Sequence, residues 1–394
     1  WDAKRHEIKA KVVYDTIARG VFNANVAKWK TILLDVYASL PNKDNISSES
    51  FCIEVDKYLH PEKFHLQKQC FFELCDEFLQ KRKLSQVRQA NFRVLFRVLR
   101  RFEMWRQTKE DGYILDIDTV TLDDLYILDN YMRNEHVIVL SQPQMYKQIP
   151  ESRKPNPRGS NTISGMMKKL RTIFIWAVDN EKTTNNPFKK YTIDDCVYGT
   201  PFYISIEERN KVYHTNLSRH PKLSIQRDIF VFQCLIGCRV GDLYTLTKDN
   251  LIRGAIEYIP RKSKDGRPIT VRVPLNSIAN EILERYSDYE GPSLLPLISE
   301  QKYNQAIKRI FLAAGLKRKV TILNPLNRQP EQKPLYQVAS SHMARRTFIG
   351  NLYKQVKDPN LVGSLSGHTE GSKAFARYRD IDEEMKTDLV KLLE

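Results

Sequence analysis

The sequence predicts a mainly α-helical protein of at least two domains, with one small antiparallel β-hairpin set in a second, α+β domain. Three observations lead there. The chain has 394 residues, more than a single domain of about 100–200 residues holds. Apolar residues recur at helical spacing along most of it. Only one segment alternates clearly: Ile256 and Tyr258, then Val271 and Val273, flank Lys264-Asp265-Gly266. Asp-Gly between alternating segments signals a hairpin.

Composition narrows the class. Hydrophobic residues make up 41% and aromatics 10%, enough for sizeable cores, and 15 Gly with 18 Pro exclude collagen-like or low-complexity chains. The net charge is +16. Such a balance suits a polyanionic partner, nucleic acid or an anionic membrane surface, although a merely basic soluble protein would share it. No apolar run approaches the length of a spanning helix, so no membrane role is expected, and no secretory signal follows the start. The chain opens on Trp1 rather than Met, so sequence upstream is expected. Six scattered cysteines without a C-x2-C pair argue for a reducing compartment and against a zinc site.

In chain order, residues 1–65 form a basic, helical segment too small for a large core, broken at Pro41–Asn45, with Ser47 to Ser50 placed to cap a short helix. Residues 66–180 read as a helical domain. Between Ser85 and Thr108, Phe92, Leu95, Phe96, Leu99 and Phe102 share one face, and Arg93, Arg97, Arg100 and Arg101 lie opposite. That second face is either a solvated helix surface or one that tracks phosphates. A basic loop with Arg153, Lys154 and Arg158 follows, then Lys168, Lys169 and Arg171 ahead of an apolar run at 173–176. Asp116 and Asp118 sit in an alternating stretch and read as solvent-facing rather than as a metal site. Residues 181–203, with Asn185-Asn186-Pro187 and Gly199-Thr200-Pro201, form the candidate linker. The second domain, 204–394, starts a helix at Ser205. After the hairpin, helices are expected at about 276–289, 299–314, 342–355 and 380–393, with a Pro-containing loop from Asn324 to Pro334.

No phosphate-binding glycine motif is present, and the GSLSG at Gly363–Gly367 centres on Leu365 rather than on a nucleophilic serine. What remains is an ordered set: Arg239 after the apolar run ending Gly237-Cys238, Lys264 at the hairpin, His342 and Arg345 in H-x-x-R spacing on one helix face, His368 after Ser366-Gly367, and Tyr378 near the carboxyl end.

The series GCRVGDL, a hairpin Lys, HMARRTF, SGH and FARYRDI resembles the catalytic domain of the tyrosine recombinases, the phage-integrase family. Residues 66–180 resemble their core-binding domain, and the opening WDAKRHEIKAK resembles integrases of Bacteroides-type mobile elements. The resemblance implies a C-shaped clamp of two domains around duplex DNA. It makes Tyr378 the nucleophile of a 3′-phosphotyrosyl intermediate, Arg239 and Arg345 a clamp on the phosphate oxygens, and Lys264 the general acid, with Lys262 as the alternative lysine. His342 would act in proton transfer or orient the phosphate, His368 would donate a hydrogen bond to it, and Asp242 would hold the Arg239 region. No metal or other cofactor is required, because the phosphotyrosyl bond conserves the energy of the broken diester. The implied partners are double-stranded attachment sites and three further copies in a tetramer that passes through a Holliday junction. The resemblance also leaves room for accessory DNA-bending or excision proteins, and implies a cytoplasmic, nucleoid-associated location in a bacterium. Ile381, Met385, Leu389 and Leu392 give residues 380–393 an amphipathic face that either completes its own domain or docks on a neighbouring protomer. Two rivals share the motifs: a type IB topoisomerase, and a non-catalytic DNA-binding regulator on the same fold.

Overall fold

The computed structural model describes residues 1–394 except 11–14, 41–45, 61–69, 152, 262–267, 357, 369–389 and 392–394. The chain divides into two compact units, residues 1–158 with 162–194, and residues 159–161 with 195–394.

The first unit begins with α1 (Thr16–Ser39), whose first turn is capped by the Asp15 carboxylate, and α2 (Ser48–Leu59), capped by Ser47. They meet where Tyr37 packs edge-on against Phe51 at 6.2 Å, and Val36 is the one buried residue of α1. The main core lies in α3 (Phe71–Lys81), α4 (Gln86–Gln107), α5 (Leu122–Ser141), α6 (Gln144–Gln148) and α7 (Ser160–Asp179). Aromatic rings fill it: Phe78 stacks edge-to-face with Phe92 at 5.0 Å and with Trp176 at 5.4 Å. Thr121 and Asp124 form a reciprocal capping box that fixes the start of α5.

Much of the segment expected as a linker belongs to this core. Thr183 donates to Asp118 at 2.5 Å, Asn185 donates to the carbonyls of Ile117 and Val120 at 2.9 Å, and Phe188 and Tyr191 are buried. Turn-forming residues punctuate the chain here, but Thr183 and Asn185 tie the segment to the Ile117–Val120 stretch.

The second unit opens with α8 (Ile206–Tyr213), started by a capping box between Ser205 and Glu208, as its spacing predicts. Its central helix is α9 (Pro221–Ile236), followed by the short α10 (Val240–Leu243). From Ile229 to Ile236 every residue of α9 is buried, because α8, α11 (Ser277–Arg285), α12 (Glu300–Ala313) and α14 (Ser341–Val356) pack around it. The predicted hairpin is present as β2 (Ala255–Tyr258) and β3 (Val271–Pro274), antiparallel with Tyr258 opposite Val271, and β1 (Leu251–Ile252) extends the sheet. Its alternation is plain in β3, where Val271 and Val273 are buried and Arg272 is exposed.

A second hairpin was not expected. β4 (Lys319–Leu323) pairs with β5 (Pro330–Pro334), which the sequence reads as part of a loop. The segment Pro-Glu-Gln-Lys-Pro has no apolar alternation, and prolines stand at both ends; an isolated two-stranded ribbon with little burial tolerates both. The short α13 (Leu335–Val338) leads into α14, and α15 (Pro359–Ser366) ends the described part of the catalytic motifs. No helix among the described residues is long and apolar enough to cross a membrane.

Candidate active site and nucleic-acid interface

The site in the second unit begins where α9 stops. Gly237 takes the left-handed conformation, φ +66°, and its N–H closes the helix on the Gln233 carbonyl at 2.9 Å. A Cβ at this position would fall 2.2 Å from Phe348, so only glycine lets the chain turn here. Cys238 stays buried, and Arg239 then emerges at the cap of α10 with its side chain 30% exposed. Its guanidinium lies 3.8 Å from the carboxylate of Asp242, itself buried. The other oxygen of Asp242 accepts the Arg261 N–H at 2.9 Å. One carboxylate thus ties Arg239 to the end of the strand pair that carries the hairpin.

The second arginine arrives on α14. His342 is exposed in the first turn, and Arg345 sits one turn later, 1% exposed. Arg345 Nη1 donates to the Gly237 carbonyl at 2.8 Å, and Nη2 lies 3.2 Å and 3.3 Å from the two ring nitrogens of His368. So the carbonyl that ends α9 orients one guanidinium two residues from where the other emerges.

His368 is placed by the end of α15. Gly367 adopts φ +65°, and a Cβ there would meet Val271 at 3.0 Å and Pro260 at 3.1 Å, so α15 closes directly on the hairpin. The Ser366 hydroxyl donates to Val362 O at 2.8 Å and lies 2.8 Å from His368 Nδ1. His368 is thus held between the Ser366 hydroxyl on one side and the Arg345 guanidinium on the other. Tyr258 completes the surroundings. Its hydroxyl is buried without a partner among the described residues, and burial, followed by the nearby Cys238, holds its pKa far above the ordinary phenol value. Burial likewise raises the Cys238 thiol, so neither group is a nucleophile at neutral pH. Both lie within electrostatic reach of Arg239, Asp242 and Arg345, which marks these groups as one locus.

The structure therefore brings together Arg239, Arg345 and His368, with His342 on the same helix as Arg345. Lys264, Lys262 and Tyr378 lie outside the described residues, as does most of the 380–393 tail. Gly237 and Ser366 are the positioning residues that spacing alone did not single out. Their signal was present as a glycine closing a long apolar helix and a serine two residues before a histidine.

In the first unit the arginine face needs correction. Arg93 and Arg100 are exposed, Arg100 lying over the Phe72 ring at 4.1 Å. Arg101, expected on the same surface, is wholly buried. Its Nε donates to Glu135 at 2.7 Å, its Nη1 donates to Ile149 O at 3.2 Å, and Glu151 lies 3.3 Å away. Burial works against this charge, and the carboxylate of Glu135 more than offsets it, so the guanidinium pKa is held above its usual value. Arg97 is half-buried and grips both oxygens of Glu151 at 3.0 and 2.9 Å. Arg158 is an ion-pair partner of Glu135 and donates to Met132 O at 3.1 Å, so it is no exposed loop cation. The helical wheel misplaced these residues because Glu135, on the inner face of α5, supplies a buried counter-charge that a single helix does not reveal. Arg153, Lys154 and Arg171 are exposed; Lys168 and Lys169 are half-buried, and burial lowers the Lys169 pKa.

Comparison with known proteins agrees with this geometry. The model described as phage integrase family matches residues 207–385, and the phage integrase SAM-like domain matches residues 70–193. No curated protein matches the chain. Among solved structures, a lambda integrase (75–356) dimer bound to a COC′ core site aligns with TM-score 0.54 and 15% identity, covering 79% of this chain and 96% of that one. A lambda integrase tetramer bound to a Holliday junction aligns at TM-score 0.52 and 14% identity, over 90% and 86% of the two chains. The Tn1549 transposon integrase (aa 82–397) in complex with circular intermediate DNA aligns at 0.52 and 14%, over 80% and 98%. At such identities the likeness concerns the fold. The two matched domains, with two arginines and a histidine gathered at the end of one helix, carry the assignment: the chain belongs to the phage integrase family, the site-specific tyrosine recombinases.

Proposed function

We infer that the chain cleaves and rejoins DNA strands at the attachment sites of a mobile element, with Tyr378 as nucleophile. The Tyr378 oxygen gives up its phenolic proton to His342 and attacks the scissile phosphorus, and the 3′-phosphotyrosyl bond forms as the bond to the 5′-oxygen breaks. That oxygen leaves as a hydroxyl after taking a proton from Lys264. Arg239 and Arg345 hold the non-bridging oxygens, where negative charge builds up. His368 steadies Arg345, and His342 serves proton transfer. Religation to a new 5′-hydroxyl reverses the step, and two rounds pass through a Holliday junction in a tetramer. The 380–393 tail would dock between protomers, and accessory DNA-bending or excision proteins would set direction. The opening segment favours a Bacteroides-type element. Arg93, Arg100, Arg153, Lys154 and Arg171, exposed on the first unit, would follow the phosphate backbone, with Lys168 and Lys169 beside them.

One observation carries the reading: Arg345 is fixed by the carbonyl of Gly237, two residues from Arg239. The SAM-like match over residues 70–193 favours recombination over topoisomerase action. A nicked suicide duplex carrying an attachment site tests it. Covalent capture should map by peptide analysis to Tyr378, and Tyr378→Phe should abolish it. Capture at another residue removes Tyr378 as nucleophile, and supercoil relaxation without trapped junctions favours the topoisomerase.

A further inference from the structure

A concavity of about 660 Å³ lies at the other end of α9, between its first turn and one side of α12. Arg219, Lys222, Lys302 and Arg309 line it, with no carboxylate among the lining residues. All four are exposed, and none forms an ion pair or hydrogen bond with a described residue. Four unpaired cations around one hollow repel each other and are relieved by a bound anion. The backbone adds to this. The first turn of the 16-residue α9 lines the hollow without a side-chain cap from His220; Pro221 has no N–H and the Leu223 N–H is held by the His220 carbonyl, so what the helix adds is the positive end of its dipole. Gln226 is 4% exposed in the lining, and its Oε1 has no partner among the described residues.

We propose that this hollow is a second phosphate-binding site, one that grips the sugar–phosphate backbone of duplex DNA through Arg219, Lys222, Lys302 and Arg309. The proposal rests on the reading of the chain as a DNA recombinase and adds residues that neither the motifs nor the arginine face of the first unit supplied. At 1.5 Å per residue, α9 separates the hollow from Gly237 by about 24 Å. That is roughly three Debye lengths at physiological salt, so these cations act on affinity and not on the reacting phosphorus.

The test uses the full chain and a 40-base-pair duplex of arbitrary sequence, because backbone contacts are independent of sequence. Binding is followed by fluorescence anisotropy across a salt series for wild type, for Lys222→Ala/Lys302→Ala, and for the variant that adds Arg219→Ala and Arg309→Ala. Each lost phosphate contact should reduce the slope of log K against log salt by about 0.9, so slopes should fall by about 2 and then by about 3–4. Single-turnover cleavage of a suicide duplex below saturation should fall in step with the lost affinity. The control Lys308→Ala/Lys317→Ala removes two exposed lysines outside the hollow. The proposal fails if the hollow variants keep the wild-type slope, or if the control loses as much. It also fails if polyglutamate binding drops in the variants while duplex binding does not, because the occupant is then an acidic protein segment. A wild-type chain that binds no duplex and shows no covalent capture overturns the recombinase reading itself. A wild type active in both, with unaltered slopes in the variants, overturns only the hollow.

Discussion

Replacing Arg101 by Met should weaken the first unit by about 3–5 kcal/mol, the cost of breaking a buried ion pair by removing one partner. Both members of the Arg101–Glu135 pair are fully buried, with Nε and Oε1 at 2.7 Å. The same guanidinium also serves Ile149 O and Glu151, so its loss strips three acceptors at once. The Tyr146 hydroxyl, which donates to Glu135 at 2.8 Å, and Arg158 remain to hold the carboxylate, which puts the loss toward the lower part of that range. The assay is built into the sequence. The four tryptophans are Trp1, Trp29, Trp105 and Trp176, all in the first unit, so intrinsic fluorescence follows that unit alone during urea unfolding of the whole chain. With a slope of roughly 2 kcal/mol per M, the midpoint should move down by about 2 M. The double variant Arg101→Met/Glu135→Leu should lose less than the sum of its two single variants, because no unpaired charge is left buried between them. A shift under about 0.5 M for Arg101→Met, or strict additivity in the double variant, would refute the reasoning.

Glu151 gives a pH prediction. Burial raises its pKa, but hydrogen bonds from Arg97 and the charge of Arg101 outweigh this and hold it below the ordinary carboxylate range. A depressed folded pKa adds stability that is fully present above the unfolded value of about 4.3 and is lost as pH falls through the folded one. Wild type should therefore lose more first-unit stability between pH 6 and pH 3 than Glu151→Gln does, as read by tryptophan fluorescence. Gly237→Ala places a methyl 2.2 Å from Phe348 at φ +66°, adding a clash to a left-handed penalty of about 1–2 kcal/mol. Strand cleavage should fall more than 100-fold, with duplex affinity within threefold of wild type, and near-normal cleavage would contradict the account of Arg345. Ser366→Ala removes the hydroxyl that holds His368 Nδ1 at 2.8 Å, and a hydrogen bond worth about 1–1.5 kcal/mol predicts a roughly tenfold slower single-turnover cleavage rate.

Where local pattern determines structure, the sequence was readable. The Ser205–Glu208 capping box, the antiparallel pairing of the two alternating segments around Tyr258 and Val271, and the helical H-x-x-R spacing all stand where their chemistry puts them. Each depends on residues a few positions apart. What escaped depends on partners distant in sequence. Glu135 lies 34 residues from Arg101, and that counter-charge turns an apparent surface arginine into a core one. Phe188 and Tyr191 became core residues because Phe174 and Tyr126, distant in sequence, give their rings something to pack on, which a turn-rich segment does not announce. The cations of the hollow come from a loop, a first helical turn and a second helix about 80 residues further on, and no linear motif joins them.

The contact between Arg345 and the Gly237 carbonyl has a further consequence. Its acceptor belongs to the main chain, so exchanges of the other side chains of α9 do not delete it, provided that glycine stays at 237. Drift in the apolar residues of α9 leaves it intact as long as the helix keeps its length. Inserting or deleting a single residue within α9 is different: it would swing that oxygen about 100° around the helix axis and shift it about 1.5 Å along it. Lineages of this protein are thus expected to vary in what α9 is made of while holding constant how many residues it contains.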